Sequence, residues 1–233
     1  MTPFRAYPPP PAHYRNVTLQ LVPFHAAPGA VQRFLPEPLT PHPQGACMAA
    51  GIDVGFCSSY GSFQEAFLML GCRFAGTDGW FCSHVLHNGP AGIAAGREIY
   101  GTPKVFAQVT VRRHERTMVT EAHLDGVRVM RIASTTHDVV AADELPSLSP
   151  SWRLKVIPRA DGPGPALKQL IDCSGTMQDL AVRFSARGRG TVALEAAPEC
   201  DLTALAPASC GAAGYLECDY TEGYAAIAHD YLA

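Results

Sequence analysis

The stretch GREIYGTPKVFAQV, residues 96–109, passes from a helical to an extended pattern within a few residues. The segment before it, PAGIAA at residues 90–95, starts with proline and is rich in alanine, which favours a helix over residues 90–99. Residues 101–103, Gly-Thr-Pro, then predict a tight turn. Lys104 follows that turn and stands at the entrance of an apolar strand.

Side chains alternate along a strand, so Lys104, Phe106 and Gln108 are predicted to share one face. This pattern predicts that the amine lies beside an aromatic ring. A second interpretation stays open, in which Lys104 only marks the start of the strand and its stem runs along apolar surface to water.

On both sides of this stretch, short apolar segments separated by Gly, Asp or Asn predict strands over most of the chain. The predicted strands are residues 17–24, 47–56, 65–74, 80–88, 104–113, 118–124, 127–135 and 152–158. Asp125-Gly126 predicts a hairpin turn, and the glycines of residues 180–196 predict a second hairpin. Short helices are predicted after Pro28 and over residues 223–233.

Many short strands with few helices predict a largely antiparallel sheet or barrel. Repeats and long linkers are absent from the sequence, which favours a single domain over residues 1–233. A Pro-rich arm is expected over residues 1–14.

The charge balance excludes some classes of function. The chain has 18 basic and 21 acidic residues, and charged residues make up 17 % of it, against ~25 % in typical proteins. Nucleic acid is not an expected partner, because neutralising phosphates needs clustered Lys and Arg. No segment has the ~20 apolar residues of a membrane span, and the N-terminal residues do not resemble a signal peptide. We expect a soluble, cytoplasmic protein.

The cysteine and histidine patterns give no indication of a metal site. The eight cysteines contain no CxxC pair and are predicted to be free, mostly buried thiols. His84 and His87 form one close histidine pair, and on a strand they would lie on opposite faces. No metal and no organic cofactor is predicted.

Lysine is rare in this chain, which draws attention to each one. Only Lys104, Lys155 and Lys168 occur among the 18 basic residues. Arginine cannot form an imine with a ketone, whereas a neutral lysine amine can. A free lysine with a pKa of ~10.4 is neutral in about one molecule in 2,500 at pH 7, so imine chemistry requires a site that favours the neutral amine.

Three blocks of this sequence resemble the acetoacetate decarboxylase superfamily. The pattern GRE-x-x-x-x-PK, which carries the imine-forming lysine of that family, reads Gly96-Arg97-Glu98 through Pro103-Lys104. LPEPL at residues 35–39 and LKVIPRADG at residues 154–162 are similar to the family in the same order, as is the closing HDYLA. The resemblance runs from about residue 15 to the end of the chain.

The resemblance implies a fold as well as a chemistry. It implies one α+β domain around a closed, cone-like antiparallel β-barrel, usually within a homo-oligomer. It also implies that Lys104 forms a Schiff base, whose enamine serves decarboxylation, proton abstraction or aldol addition.

Several positions depart from the decarboxylases that this chain resembles. Val105 stands where they carry a second lysine. That cation helps to lower the pKa of the imine-forming lysine, and burial alone can lower it enough. The place of their substrate-binding arginine falls near Val17, with Arg15 close by, and the place of one glutamate falls near Ala50. A second family glutamate matches Glu65 in Phe63-Gln64-Glu65. These departures are similar to the aldolase-dehydratase branch of the superfamily.

The expected function is therefore a Schiff-base lyase that condenses a small 2-oxo acid, pyruvate, with an aldehyde and removes water. A β-keto acid decarboxylase, a biosynthetic cyclase or dehydratase, and a non-catalytic binder of small acids stay open. Glu65 is the expected acid/base and Tyr220 a possible assistant, since a carboxylate or phenol can move the required protons. The expected substrate-binding residues are Tyr100, Gln108, Arg15 and Phe106, and further cations considered for a carboxylate are Arg97 and Arg112. Glu98 is interpreted as structural support for the lysine loop.

Overall fold

Strands make up most of the chain in the computed structural model, which describes residues 6–233. The strands are β1 (Ala12–His25), β2 (Thr40–Pro41), β3 (Ala46–Cys57), β4 (Phe63–Phe74), β5 (Thr77–His87), β6 (Lys104–Phe106), β7 (Gln108–His114), β8 (Thr117–Leu124), β9 (Val127–Val139), β10 (Ser151–Pro158), β11 (Pro165–Asp172), β12 (Met177–Leu194), β13 (Ala196–Ala197), β14 (Cys200–Asp201), β15 (Ser209–Cys210), β16 (Ala212–Glu222) and β17 (Ala226–Asp230). The helices are α1 (Pro28–Gln32) and α2 (Pro90–Ala95), followed by a π-helical turn at Gly96–Tyr100 and 3₁₀ turns at Ala142–Glu144 and Thr203–Leu205.

One large sheet runs in the order β17-β11-β10-β5-β4-β3-β1-β16-β12-β9-β8-β7. Its neighbours are antiparallel except where β10 and β6 pair in parallel with β5. Within residues 6–233 no ladder joins β7 to β17, so the expected closed barrel is wrong and the sheet is open. The α+β class is corrected to mostly β, because the two α-helices are only five and six residues long.

The middle strands of this sheet bury both faces, each against a different apolar cluster. Along β4, Ala66 and Leu68 join the larger cluster with residues of β7, β8 and β9, so the sheet curls over on itself. Phe63 and Phe67 alternate with them and join a second cluster on the opposite face. The second cluster, which we call the pocket-side cluster, contains residues of β1, β3, β4, β5 and β16.

Most of the predicted strands are confirmed, and the turns between them explain why. Asp125 and Gly126 have φ values of 49° and 82° and join β8 to β9, as their turn chemistry predicts. The predicted strand 104–113 is divided, since Ala107 separates β6 from β7. There the Ala107 N–H donates to the His87 carbonyl instead of continuing the strand.

Two predictions about the C-terminal half are wrong. Residues 180–194 lie in the single strand β12, so the hairpin predicted over residues 180–196 is wrong. A Cβ at Gly188 would lie 2.0 Å from the Thr135 carbonyl oxygen, so this glycine permits close packing on β9 instead of a turn. Residues 226–230 form β17, which pairs with β11, where a short helix was predicted.

The N-terminal arm is shorter than predicted, because β1 begins at Ala12. Residues 1–5 of the predicted arm lie outside the described residues. Among residues 6–233, no helix has the length and apolar character that crossing a membrane requires.

Candidate active site

The segment from α2 to β6 positions Lys104. The predicted helix is confirmed as α2 and the π-helical turn that continues it. Gly101 then adopts the left-handed conformation (φ 70°), and β6 aligns Lys104 beside Val85 of β5. The Lys104 N–H donates to the Thr102 carbonyl at 2.7 Å, and Arg97 Nη1 donates to the Lys104 carbonyl at 3.2 Å. Lys104, the first residue of this short strand, is therefore held through both its N–H and its carbonyl group.

Lys104 forms an ion pair with Glu65 on the pocket side of the sheet. Lys104 Nζ lies 2.7 Å from Glu65 Oε2, and the two side chains are only 13 % and 12 % exposed. The atoms meet outside hydrogen-bond geometry, which leaves Glu65 Oε2 buried and without a hydrogen-bond partner. The aromatic ring near the ammonium is that of Phe63, at 5.4 Å from its centroid. Apolar surroundings therefore enclose a pair of opposite charges with unused hydrogen-bonding capacity.

His87 completes this cluster from β5. Its ring is fully buried and stacks on Phe63, with centroids 4.4 Å apart. The Gly89 N–H donates to His87 Nδ1 at 2.7 Å, which assigns the proton of the neutral ring to Nε2. His87 Nε2 lies 3.7 Å from Glu65 Oε2. Burial and the Lys104 cation lower the pKa of His87 to about 4, against an opposing effect of Glu65.

The buried state of His87 predicts a loss of stability in acid. Its pKa falls from an ordinary 6.5 to about 4, so between these values the unfolded chain binds the proton and the folded chain does not. Stability is therefore complete above pH 6.5 and declines as the pH falls to 4, by on the order of 3 kcal/mol from this ring. Urea unfolding at pH 7, 6 and 5 measures the decline.

His87→Gln provides the comparison for that measurement, since it removes the titrating ring. The variant is expected to show a flatter dependence of unfolding free energy on pH, whereas the exposed His114→Gln should follow the parent protein. Parallel curves for His87→Gln and the parent would contradict the assignment.

Tyr220 and Glu222 of β16 lie next to Tyr14 of the neighbouring strand β1. Tyr220 is buried and stacks on Tyr14 at a centroid distance of 4.5 Å. The Tyr14 hydroxyl donates to Glu222 Oε2 at 2.6 Å. Burial, followed by Glu222 and Glu65, raises the pKa of Tyr220 well above its usual range. Tyr220 therefore stays protonated at neutral pH and can donate a hydrogen bond.

Tyr100 and Arg153 form a second buried group beside the lysine segment. The Tyr100 hydroxyl donates to the Gly223 carbonyl at 2.9 Å. The Arg153 guanidinium lies over the Tyr100 ring at 5.6 Å, and its Nη1 donates to Thr102 Oγ1 at 2.8 Å. Arg153 Nε is buried without a partner.

The structure does not bring all of the predicted site residues together. Phe106 is 62 % exposed and Gln108 is exposed at the start of β7; the ring that faces the amine is Phe63, because β6 ends after three residues. Arg15 Nη1 donates to the Tyr14 and Tyr220 carbonyls, so it supports the tyrosines from the strand edge.

The remaining candidates also have surface positions. Arg97 and Arg112 are exposed. Glu98 accepts a hydrogen bond from the Tyr7 hydroxyl at 2.5 Å rather than pairing with Arg97. Of these residues, only Arg97 holds the lysine strand directly.

Three residues near the site were missed from the sequence: His87 as a neighbour of Glu65, Glu222 and Arg153. Strand alternation was a usable signal for Glu222, since it lies two residues beyond Tyr220 on the same face. Arg153 alternates with the buried Trp152 and was equally accessible to that reasoning. His87 was not, because its place depends on the register of β4 with β5, in which Glu65 is opposite His87.

Within the described residues no group of three His, Cys, Asp or Glu side chains could hold a metal ion. All eight cysteines are free, and six of them are buried, in agreement with the predicted thiols. His84 packs on Phe34 and His87 on Phe63, which confirms that the two histidines face opposite sides of β5.

The fold and the site together define a mostly β protein with a lysine–carboxylate pair enclosed on one face of its sheet. The family model for acetoacetate decarboxylase (ADC) matches residues 1–232, and the chain belongs to that family. The resemblance inferred from the sequence is thereby confirmed.

Individual relatives are similar along their whole length. Acetoacetate decarboxylase 1 of Bradyrhizobium diazoefficiens is 26 % identical, over 98 % of this chain and 91 % of the relative. The structure of acetoacetate decarboxylase from Legionella pneumophila has a TM-score of 0.91 at 22 % identity, covering 100 % of this chain and 94 % of its own. The enduracididine biosynthesis enzyme MppR, complexed with the condensation product of pyruvate and imidazole 4-carboxaldehyde, has a TM-score of 0.83 at 21 % identity, covering 97 % and 92 %. The latter two show a shared fold.

Proposed function

We propose that this protein is a Schiff-base-forming lyase that condenses pyruvate, or a similar small 2-oxo acid, with an aldehyde and removes water. The observation that carries the proposal is the 2.7 Å approach of Lys104 Nζ to Glu65 Oε2 in apolar surroundings. A carboxylate at this distance can take the proton that the ammonium must lose before the amine attacks a ketone.

The first half of the reaction generates the enamine. The neutral Lys104 amine bonds to the ketone carbon, Glu65 returns the proton it took from the ammonium to the departing oxygen, which leaves as water, and a protonated imine remains beside the Glu65 carboxylate. Glu65 then takes a proton from the methyl carbon, and the electron pair of that C–H bond moves toward the imine nitrogen to give the enamine.

The second half joins the two substrates. The enamine carbon bonds to the aldehyde carbon, whose oxygen takes a proton. Glu65, having given its proton to that oxygen, takes a further proton from the former enamine carbon and returns it to the new hydroxyl on the former aldehyde carbon, which departs as water with the protonated Tyr220 as the proposed hydrogen-bond donor. Water then cleaves the imine, which frees Lys104 and an unsaturated 2-oxo acid.

The lining of the pocket side supports condensation over decarboxylation. Val17 and Ala50, at the expected places of the decarboxylase arginine and glutamate, are fully buried members of the pocket-side cluster. MppR, which shares the fold, was captured with a condensation product of pyruvate. These features favour aldol chemistry at the same lysine.

Decarboxylation of a β-keto acid is the second candidate. It is favoured by the sequence relatives, which carry the name acetoacetate decarboxylase. The same imine at Lys104 would accept the electrons of the breaking C–C bond as carbon dioxide leaves. A cyclase or dehydratase acting on a larger oxo acid would use the same first step.

Two product assays separate these candidates. The protein is incubated with pyruvate and imidazole 4-carboxaldehyde, and separately with acetoacetate. The proposal predicts an unsaturated condensation product in the first assay and no enzymatic carbon dioxide release in the second. Carbon dioxide from acetoacetate without condensation would overturn it in favour of the decarboxylase.

Gly96 provides a prediction about the space around the lysine. A Cβ at this position would lie 2.8 Å from both Cδ and Cε of Lys104, so Gly96→Ala displaces the lysine stem. We expect kcat/KM to fall about 10- to 100-fold, because small displacements of reacting groups are costly. Since Gly96 has helical dihedral angles, the melting temperature of Gly96→Ala should equal or exceed that of the parent protein.

Gly29→Ala is the matched control, because Gly29 also lies in a short helix but has no atom within 4 Å of an added Cβ. It should gain the same helical preference without loss of activity. Full activity in Gly96→Ala would contradict the placement of Lys104.

A further inference from the structure

Arg153 is a partly buried cation; burial lowers the pKa of its guanidinium, but Cys173, Cys82, Glu222 and Glu65 raise it by a larger amount. The residue is partly accessible, but its Nε is buried and has no hydrogen-bond partner. Within residues 6–233 no carboxylate lies within ion-pair distance of it, and only one of its five N–H groups has a protein acceptor, Thr102 Oγ1. A guanidinium with unused N–H donors, one of them buried, favours an anion that can accept their hydrogen bonds.

The sheet register places Arg153 on the same face as Lys104. Trp152 is aligned with Phe81, and both belong to the larger cluster, so Arg153 and Cys82 lie on the opposite face. Cys82 belongs to the pocket-side cluster, as does Val85, the residue aligned with Lys104. The two cations thus flank the same edge of β5.

Two contacts bring the guanidinium closer still to the lysine. Cys82 and Val85 are three positions apart on β5, about 10 Å along the strand. The Arg153 side chain reaches toward Lys104 and donates to Thr102 Oγ1. The Thr102 carbonyl in turn accepts the Lys104 N–H. Cys82 is influenced by both Arg153 and Lys104, which lower the pKa that burial raises.

We propose that Arg153 binds the carboxylate of the oxo acid whose ketone reacts with Lys104. This inference rests on the proposed function. A carboxylate matches the planar donor fork of arginine and offsets the buried charge. With this contact, a ketone that carries an acid group is preferred over a neutral ketone. Tyr100 supports the arrangement, because its ring packs against the guanidinium.

Pyruvate and its neutral methyl ester are the probes that test this assignment. Each is titrated against the protein with cyanoborohydride, and the concentration for half-maximal modification of Lys104 is measured. The parent protein should require less pyruvate than ester. In Arg153→Met, the pyruvate concentration for half-maximal modification should rise about 10- to 100-fold. The corresponding concentration of the ester should change less than about threefold.

Two further variants keep the test decisive. Arg112→Met removes an exposed arginine and should leave both titrations unchanged. If Arg153→Met does not fold, Thr102→Val removes the acceptor that orients the guanidinium and should selectively weaken pyruvate.

The possible failures are distinguishable. If the parent protein forms no adduct with either probe, the proposed function fails. If it forms both adducts, and the folded Arg153 or Thr102 variant affects pyruvate and ester equally, only the assignment of Arg153 is overturned.

Discussion

Lys104→Gln is expected to lower turnover by roughly 10⁴-fold or more, because the variant lacks the amine proposed as the nucleophile. The amide is close in length to the lysine stem and can donate a hydrogen bond to the buried Glu65 Oε2, so the folded state should persist. Steady-state kinetics with pyruvate and an aldehyde, together with circular dichroism, measure both effects.

The other two lysines are natural controls for this experiment. Lys168 lies over the Tyr231 ring at 4.5 Å, a contact that arginine can keep. Lys155→Arg and Lys168→Arg should therefore retain activity within a few-fold. Residual turnover in Lys104→Gln close to that of the parent protein would rule out the imine mechanism.

Glu65→Gln should have the second largest effect. The variant keeps the shape of the side chain but cannot take a proton, so kcat should fall about 10²- to 10⁴-fold. The yield of trapped imine should fall less than kcat does, because proton removal from the methyl carbon follows imine formation. Kinetics at several pH values and trapping on the same preparation separate the two steps.

Glu121→Gln is the matched control for Glu65, since Glu121 pairs with Arg128 and Arg131 at the surface on β8. It should leave kcat unchanged. If Glu65→Gln turned over as fast as the parent protein, Glu65 would be only a structural partner of the lysine.

The sequence alone was sufficient to predict the strand-rich architecture and to select Lys104 and Glu65 as site candidates, which the structure places 2.7 Å apart. Alternation and turn residues placed β3, β4, β8 and β9 within a few residues of their bounds, because those signals are local. The lysine followed from its place after a Gly-Thr-Pro turn and from the family pattern.

What could not be predicted depends on contacts between distant segments. Phe63, rather than Phe106, faces the amine because β6 ends at once and β4 supplies the ring. The strand β17 forms because it pairs with β11, and β12 continues without a turn because it pairs with β9. Both partners are distant in sequence. Glycines that suggested turns instead permit close packing, as at Gly188.

The most direct test of the central claim is to reduce the protein with borohydride in the presence of pyruvate and map the adduct by peptide mass spectrometry. The chain has only three lysines, so the modified peptide identifies the residue without ambiguity. We expect a reduced pyruvate adduct on Lys104 that is absent from Lys104→Gln. An adduct confined to Lys155 or Lys168, or no adduct with pyruvate, acetoacetate or larger oxo acids, would contradict it.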